Sequence, residues 1–357
     1  MHTTRFCFLL FVGCVVSSLI LGVVLICSVD PEKHWTAASV DKYEYFRPYD
    51  EKSLKQYRFG LIKKAQPTTL LLGNSRTLYG FARENFDPHT FNASMDAAQM
   101  DQQEEYADFT LQHFPLKRLV IGTDFGMFIG RSKTVETASA GCYYITSICH
   151  YLSAYSPAAF KGSLVTLYNA HYNIADARYS IPADGFLPAW PSSSDQPLRI
   201  RHSYAIRIMR YAFGEGGDYE KTRQRIREQS GPQYAALDRV LAQACKSNIQ
   251  IQLAILPLHA DALMQFKQSG LMPDFESFRE KIVDAAARAP CHKIEVWDFG
   301  INSPYIHEPI SATTKEWKWF IEPFHFRPAL GTIIADVLAE RRPAANIAKR
   351  LDTNTQK

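Results

Sequence analysis

Charge of one sign is scarce in this 357-residue chain, where 40 Lys and Arg against 36 Asp and Glu leave a net +4. So small an excess gives no hold on a polyanion, and no nucleic-acid partner is expected. No two cysteines stand at Cys-x-x-Cys spacing, which argues against a structural zinc site. Charge is absent altogether from Phe6 to Val29, between Arg5 and Asp30. No small-x-small cleavage site follows that run, and Ile26 precedes Cys27 where a lipoprotein signal wants a small residue. At 1.5 Å per residue the run covers roughly 36 Å, enough to cross a bilayer and about twice a signal-peptide core. An uncleaved transmembrane anchor is expected over 6–29, with 1–5 as a cytoplasmic N-terminus. Arg5 and the α-amino group set that orientation, against some counterweight from Lys33 and Lys42.

What is present suits one large globular domain: 46% hydrophobic residues, 21% charged, and 18 Tyr, 22 Phe and 5 Trp. Of the seven cysteines, Cys7, Cys14 and Cys27 fall in the apolar run. Cys142 and Cys149 are close enough to close a short disulfide loop in an oxidising compartment, while Cys245 and Cys291 belong to separate elements.

Beyond a polar stalk or cap over 30–66, apolar runs alternate with helical periodicity. Strands are expected over 68–72, 116–122, 249–256 and 293–297. Helices are expected over 100–113 and 231–247, around Phe275 to Ala286, and from Pro328 to Arg342, where proline opens the first turn and arginine closes the last. Strands alternating with helices predict an α/β fold: a three-layer α/β/α sandwich with a mainly parallel sheet, flavodoxin-like, beside one N-terminal transmembrane helix. Ligands in such sheets bind beyond the carboxyl ends of the strands.

Three of those ends carry chemistry. Ser75 follows the first strand in Gly73-Asn74-Ser75-Arg76-Thr77, where it reads either as an exposed nucleophile or as an ordinary helix N-cap. Asp124 follows the second in Gly122-Thr123-Asp124-Phe125. Glu322 precedes His325 by three residues ahead of the last helix, a spacing that lets a carboxylate hold one ring nitrogen and leave the other free.

Together these blocks resemble the SGNH/GDSL hydrolase superfamily, in its membrane-anchored periplasmic branch associated with membrane-bound O-acyltransferases in polysaccharide acylation. Leu71-Leu72-Gly73-Asn74-Ser75-Arg76 is similar to that branch's first block. Ile121-Gly122-Thr123-Asp124-Phe125 is similar to its third, where Asp often replaces the superfamily's Asn. The run from Trp319 to Gly331 resembles the last block, and Leu256-Pro257-Leu258-His259 a strand-end Pro-x-His. The second-block glycine has no clear match in Asn92-Ala93-Ser94-Met95-Asp96.

The resemblance implies Ser75 as nucleophile, His325 as general base and Glu322 as its orienter where the family more often has Asp, with Asp298 as the alternative. For an oxyanion it implies the Ser75 N–H and the Asn92 side chain. Asp124 is expected to border the same substrate crevice and, since a carboxylate repels an oxyanion, to pair with Arg76 and support the turn. The implied domain runs over 67–342 with an insertion at 125–230, followed by a disordered tail at 343–357. Its chemistry calls for neither metal nor organic cofactor. The function so implied is a serine esterase or acyltransferase acting on acyl groups, acetyl foremost, of a cell-envelope polysaccharide. The alternative is a non-catalytic polysaccharide-binding or scaffold subunit of a membrane acyltransferase system. Expected partners are that polysaccharide, the inner membrane and a membrane-bound O-acyltransferase.

The insertion, too long for a simple crossover, is expected to be a lid or a partly helical insertion. Tyr143, Tyr144, Tyr151, Tyr155, Tyr168, Tyr172, Tyr179 and Trp190 either stack on sugars or form its own core. Arg199, Arg201, Arg207, Arg210, Lys221, Arg223, Arg225 and Arg227 either meet an anionic glycan or headgroup or make a solvated helix face.

Overall fold

A computed structural model describes residues 2–29, 51–130, 155–174, 184–186, 197–214, 219–291, 294–300, 303–310 and 314–351. The chain divides into two compact units, residues 1–64 with 134–181 and residues 65–133 with 182–357. The expected Cys142–Cys149 pair lies outside the described residues, as do Tyr143, Tyr144, Tyr151, Tyr179 and Trp190.

The first unit contains α1 (His2–Val29), and α2 (Glu51–Ala65) runs up to its boundary. Within α1, the 24 residues Phe6–Val29 have a mean hydropathy of 2.9, long and apolar enough to cross a membrane.

The second unit opens with β1 (Thr69–Leu72), α3 (Ser75–Gly80), β2 (Thr90–Asn92), α4 (Met100–His113) and β3 (Arg118–Thr123). The first unit then contributes α5 (Pro157–His171). The chain continues in the second with α6 (Leu198–Gly214), α7 (Tyr219–Lys246), β4 (Gln250–Ile255), α8 (Ala260–Gln268), α9 (Met272–Arg288) and β5 (Ile294–Asp298). It ends with β6 (Phe320–Glu322), β7 (His325–Phe326), α10 (Pro328–Leu338) and β8 (Lys349–Leu351).

Six strands form one sheet in the order β2-β1-β3-β4-β5-β8, parallel except for β8. Successive residues of β1 are all buried, as are the last five of β3 and of β4. Side chains alternate across a strand, so both faces of these strands are covered, and their sequences read as continuous apolar runs. Register aligns the carboxyl ends: Leu72 pairs with Ile121, Thr123 with Ile255, and Ile255 with Asp298.

Three features depart from the sequence reading. Lys349–Leu351 lies in the segment expected to be a disordered tail, yet it pairs with Val296 to Asp298 as an antiparallel edge. α7 starts at Tyr219 and runs through Gly231-Pro232, 28 residues in all. It packs on α4, where Gln233 accepts the Asp101 N–H at 2.9 Å and Arg239 donates to Glu104 at 2.7 Å. The expected insertion at 125–230 is therefore divided, only 134–181 belonging to the first unit.

At the start of that segment Phe125 packs edge-on against Phe266 and Phe275, and Phe128 stacks on Tyr234. Residues 125–128 thus belong to the core and not to a lid. Cys245 and Cys291 are joined by a disulfide that ties the end of α7 to the segment before β5.

Candidate active site

The turn after β1 places Ser75. Asn74, not Ser75, caps α3: its side chain accepts the Arg76 N–H at 3.0 Å. The serine hydroxyl is thereby released from capping. From Thr69 to Phe81 every residue is buried except Ser75. Gly73 and Gly122, on adjacent strand ends, leave room for Thr77, whose Oγ1 would overlap a Cβ at either position. Gln103 from α4 accepts the Gly73 N–H at 3.0 Å and fixes the turn from below.

His325 comes from a hairpin. β6 and β7 pair antiparallel with Glu322 opposite His325, joined by Pro323-Phe324. α3 and β7 are pressed together by an absence of side chain: the Phe326 ring occupies the space a Cβ on Gly80 would take. α10 lies close for the same reason, since a Cβ on Gly331 would overlap the Gly80 carbonyl oxygen. This packing brings Ser75 Oγ to 2.8 Å from His325 Nε2, across 250 positions of sequence.

Behind the imidazole, His325 Nδ1 meets Glu322 Oε1. The same carboxylate accepts the His325 N–H at 2.9 Å and the Phe324 N–H at 3.1 Å. A carboxylate only accepts, so Nδ1 carries the proton toward it and Nε2 is left to accept from the Ser75 hydroxyl. The longer glutamate side chain suits a hairpin partner, because it folds back over the turn to reach both N–H groups. Ser75, Phe324 and His325 are each half-buried, whereas Glu322 is buried.

Arg76 is 4% exposed. Its guanidinium pairs with Asp124 and donates to the Pro257 carbonyl, joining the ends of β1, β3 and β4. Asp124 also accepts the Gly126 N–H at 2.6 Å. The pair thus ties the turn after β1 to the neighbouring strand ends.

Two other sequence candidates are engaged elsewhere. Asp298, fully buried at the end of β5, pairs with Arg279 and accepts the Gly300 N–H at 2.8 Å; of the two expected orienters it is Glu322 that meets the imidazole. Asn92 is 0% exposed and its amide oxygen accepts the Ser94 N–H at 3.1 Å. Its main chain is held by Asp184, whose carbonyl accepts the Asn92 N–H at 2.9 Å. The Asn92 amide is thus enclosed, while Ser75, the other expected oxyanion donor through its N–H, sits at the half-buried turn.

His259 is structural. It caps α8, stacks on Trp317 with ring centroids 4.1 Å apart, and its N–H donates to Pro323 O at 3.1 Å, which holds the hairpin turn against the end of β4. Burial pulls its pKa below the ordinary histidine value.

Sequence reasoning missed several supporting residues. Tyr79 stands one turn after Ser75, on the same helix face; it meets His325 edge-on and donates to Asp96 at 2.8 Å. That four-residue spacing was the available signal. Arg201 had none. Read as one of a row of surface arginines, it is 5% exposed and donates to Ile321 O at 3.1 Å, one residue from Glu322. Burial and Arg327 pull its pKa down, while Glu316 and Glu322 push it back up. Among its neighbours in that row, Arg223 and Arg227 pair with Glu220. No family model and no curated protein sequence matches this chain.

Proposed function

We propose that the second unit is an SGNH-like serine esterase or O-acyltransferase, with Ser75 as nucleophile, His325 as general base and Glu322 as its orienter. The observation that carries this reading is the Ser75–His325–Glu322 relay, built from a turn and a hairpin that no local sequence requirement brings together. A capping serine and a packing histidine have no reason to meet across that separation.

In the proposed reaction Ser75 Oγ attacks the carbonyl carbon of an acyl ester while its proton passes to His325 Nε2. Glu322, accepting from Nδ1, holds the tautomer and steadies the imidazolium. The Ser75 N–H faces the developing oxyanion. Collapse returns the proton from Nε2 to the departing alkoxide and leaves an acyl-serine. Water or a sugar hydroxyl then gives its proton to His325 and takes the acyl group, regenerating Ser75.

The sheet is read as the middle layer of an α/β/α sandwich, supported by strands buried on both faces. α1 is read as a single-pass inner-membrane anchor, with the catalytic unit on the periplasmic side. The Cys245–Cys291 disulfide supports an oxidising compartment. A cell-envelope polysaccharide as acyl acceptor or ester substrate, and a membrane-bound O-acyltransferase as companion, follow from the motif resemblance.

Turnover of p-nitrophenyl acetate by the detergent-solubilised full chain tests the reading. Ser75→Ala is expected to lower kcat by on the order of 10³-fold or more. Wild-type turnover no faster than that of Ser75→Ala, with acetylated polysaccharide still bound, would overturn the enzyme in favour of a scaffold.

A further inference from the structure

The first unit holds a helix that the catalytic reading does not use. α5 is capped by Ser156, whose hydroxyl accepts the Ala159 N–H at 3.1 Å, and Pro157 opens its first turn. Its inward residues are small: Ala159, Ser163 and Thr166 are all at most 1% exposed. Both hydroxyls are satisfied within the helix, Ser163 by Ala159 O at 2.9 Å and Thr166 by Gly162 O at 2.8 Å. No hydrogen-bonding need is left over on that face.

The outward face is apolar at helical spacing. Phe160, Leu164, Tyr168 and Tyr172 recur every four residues and are 40%, 47%, 58% and 60% exposed. From Pro157 to His171 there is one lysine, Lys161, and no acidic residue. In water such a contiguous stripe is a liability, and it marks a surface meant to be covered.

Its position indicates by what. Tyr155, just before α5, has its hydroxyl 3.7 Å from Cys27 Sγ, and the Phe160 ring lies 3.7 Å from where a Cβ on Gly22 would sit. Five residues forward on one segment answer five backward on the other, so α5 starts antiparallel to the end of α1. On α1 the inward residues Gly22, Leu25, Ile26 and Val29 follow the i, i+3, i+4, i+7 pattern, while Leu19 and Leu21 stand 66% and 71% exposed. Gly22 lies seven residues before the end of the apolar run, about 10 Å along the helix axis. If α1 spans a bilayer, Phe160 at that level is below the headgroups. At 15 residues, α5 is too short to cross. Hydroxyls satisfied by their own helix are what lipid demands of such an element.

We propose that α5 is a second membrane element, a non-spanning helix whose Phe160, Leu164, Tyr168 and Tyr172 stripe faces lipid beside the end of α1. Its partner is lipid. Lys161, next to Phe160, extends its ammonium toward the headgroups. A single span rotates freely about its axis, and a second immersed helix fixes the tilt and facing of this unit. The inference rests on reading α1 as a span.

The test uses the full chain in phosphatidylethanolamine/phosphatidylglycerol nanodiscs, with Cys7, Cys14, Cys27, Cys142 and Cys149 replaced by Ser and the Cys245–Cys291 disulfide kept. A nitrobenzoxadiazole label is placed at Leu164→Cys or Tyr168→Cys, with Leu10→Cys as span control and the exposed Gln268→Cys as aqueous control. Labels at 164 and 168 are expected to be quenched several-fold more by nitroxide-bearing lipid than by aqueous iodide, as at position 10. Quenching by iodide to the extent seen at 268 would overturn the inference, as would protection from both quenchers, which would mean that protein covers the stripe. A position-10 label in water would instead sink the span itself, and the inference with it.

Discussion

At the scale of single residues, the hydroxyl of Ser75 is available because its neighbour Asn74 does the capping. Glu322 reaches the imidazole because the hairpin turns its longer side chain back on the chain. Replacing Glu322 with Gln keeps the size but gives Nδ1 an amide that has no charge to steady the imidazolium. For Glu322→Gln we expect kcat to fall by on the order of 10³-fold with KM little changed, read from steady-state ester hydrolysis. An unchanged kcat would show that the glutamate only braces the turn. Ser75, His325 and Glu322 were legible because each sits where an apolar run or helix signal breaks, in an order a parallel sheet makes meaningful. Asn92 and Asp298 were equally plausible by position. Their burial and their ties to Ser94 and Arg279 depend on packing that no local pattern carries.

Among the elements, the decisive contact is between α3, β7 and α10. Gly80 and Gly331 allow two backbones to touch, and Gly80 leaves room for the Phe326 ring, which sets His325 beside Ser75. Gly331→Ala forces a Cβ into the Gly80 carbonyl. We expect a loss of about 1–3 kcal/mol by urea unfolding together with reduced turnover. Gly231→Ala in α7, where an added Cβ meets nothing within 4 Å, serves as control and is expected to stabilise by about 0.5–1 kcal/mol. Equal behaviour of the two variants would remove the close-approach argument. Likewise, the Cys245–Cys291 link closes a 46-residue separation, and its removal by Cys245→Ser with Cys291→Ser is expected to cost about 4 kcal/mol by the same assay. A change within error would mean that the bond constrains nothing. The long strands were readable because burial on both faces makes continuous apolar runs. β2, the β6–β7 hairpin and β8 are two or three residues each, held by neighbours more than by their own pattern, and so left no periodic trace.

For the molecule as a whole, stability and activity should respond to pH through separate groups. On α4, burial with Glu104 pushes the Asp108 carboxyl up to about 6, Arg239 opposing and Glu105 adding to the rise. Between about pH 4 and 6 the folded chain therefore keeps a proton that the unfolded chain has lost. The stabilisation from this group is full below its unfolded pKa and is lost as pH rises through 6. Wild type should lose stability relative to Asp108→Asn as pH goes from about 4 to 7, seen as a wild-type urea midpoint that falls progressively relative to that of the variant. A pH-independent difference would contradict that environment for Asp108. The central claim, however, is that two chain segments 250 positions apart meet to make one reactive serine. Its most direct measurement is incubation of the full chain with a fluorophosphonate, followed by mass mapping of the adduct. The account predicts a single covalent adduct on Ser75, formed far more slowly in His325→Ala. No adduct on Ser75, or an adduct formed at the same rate without His325, would contradict it.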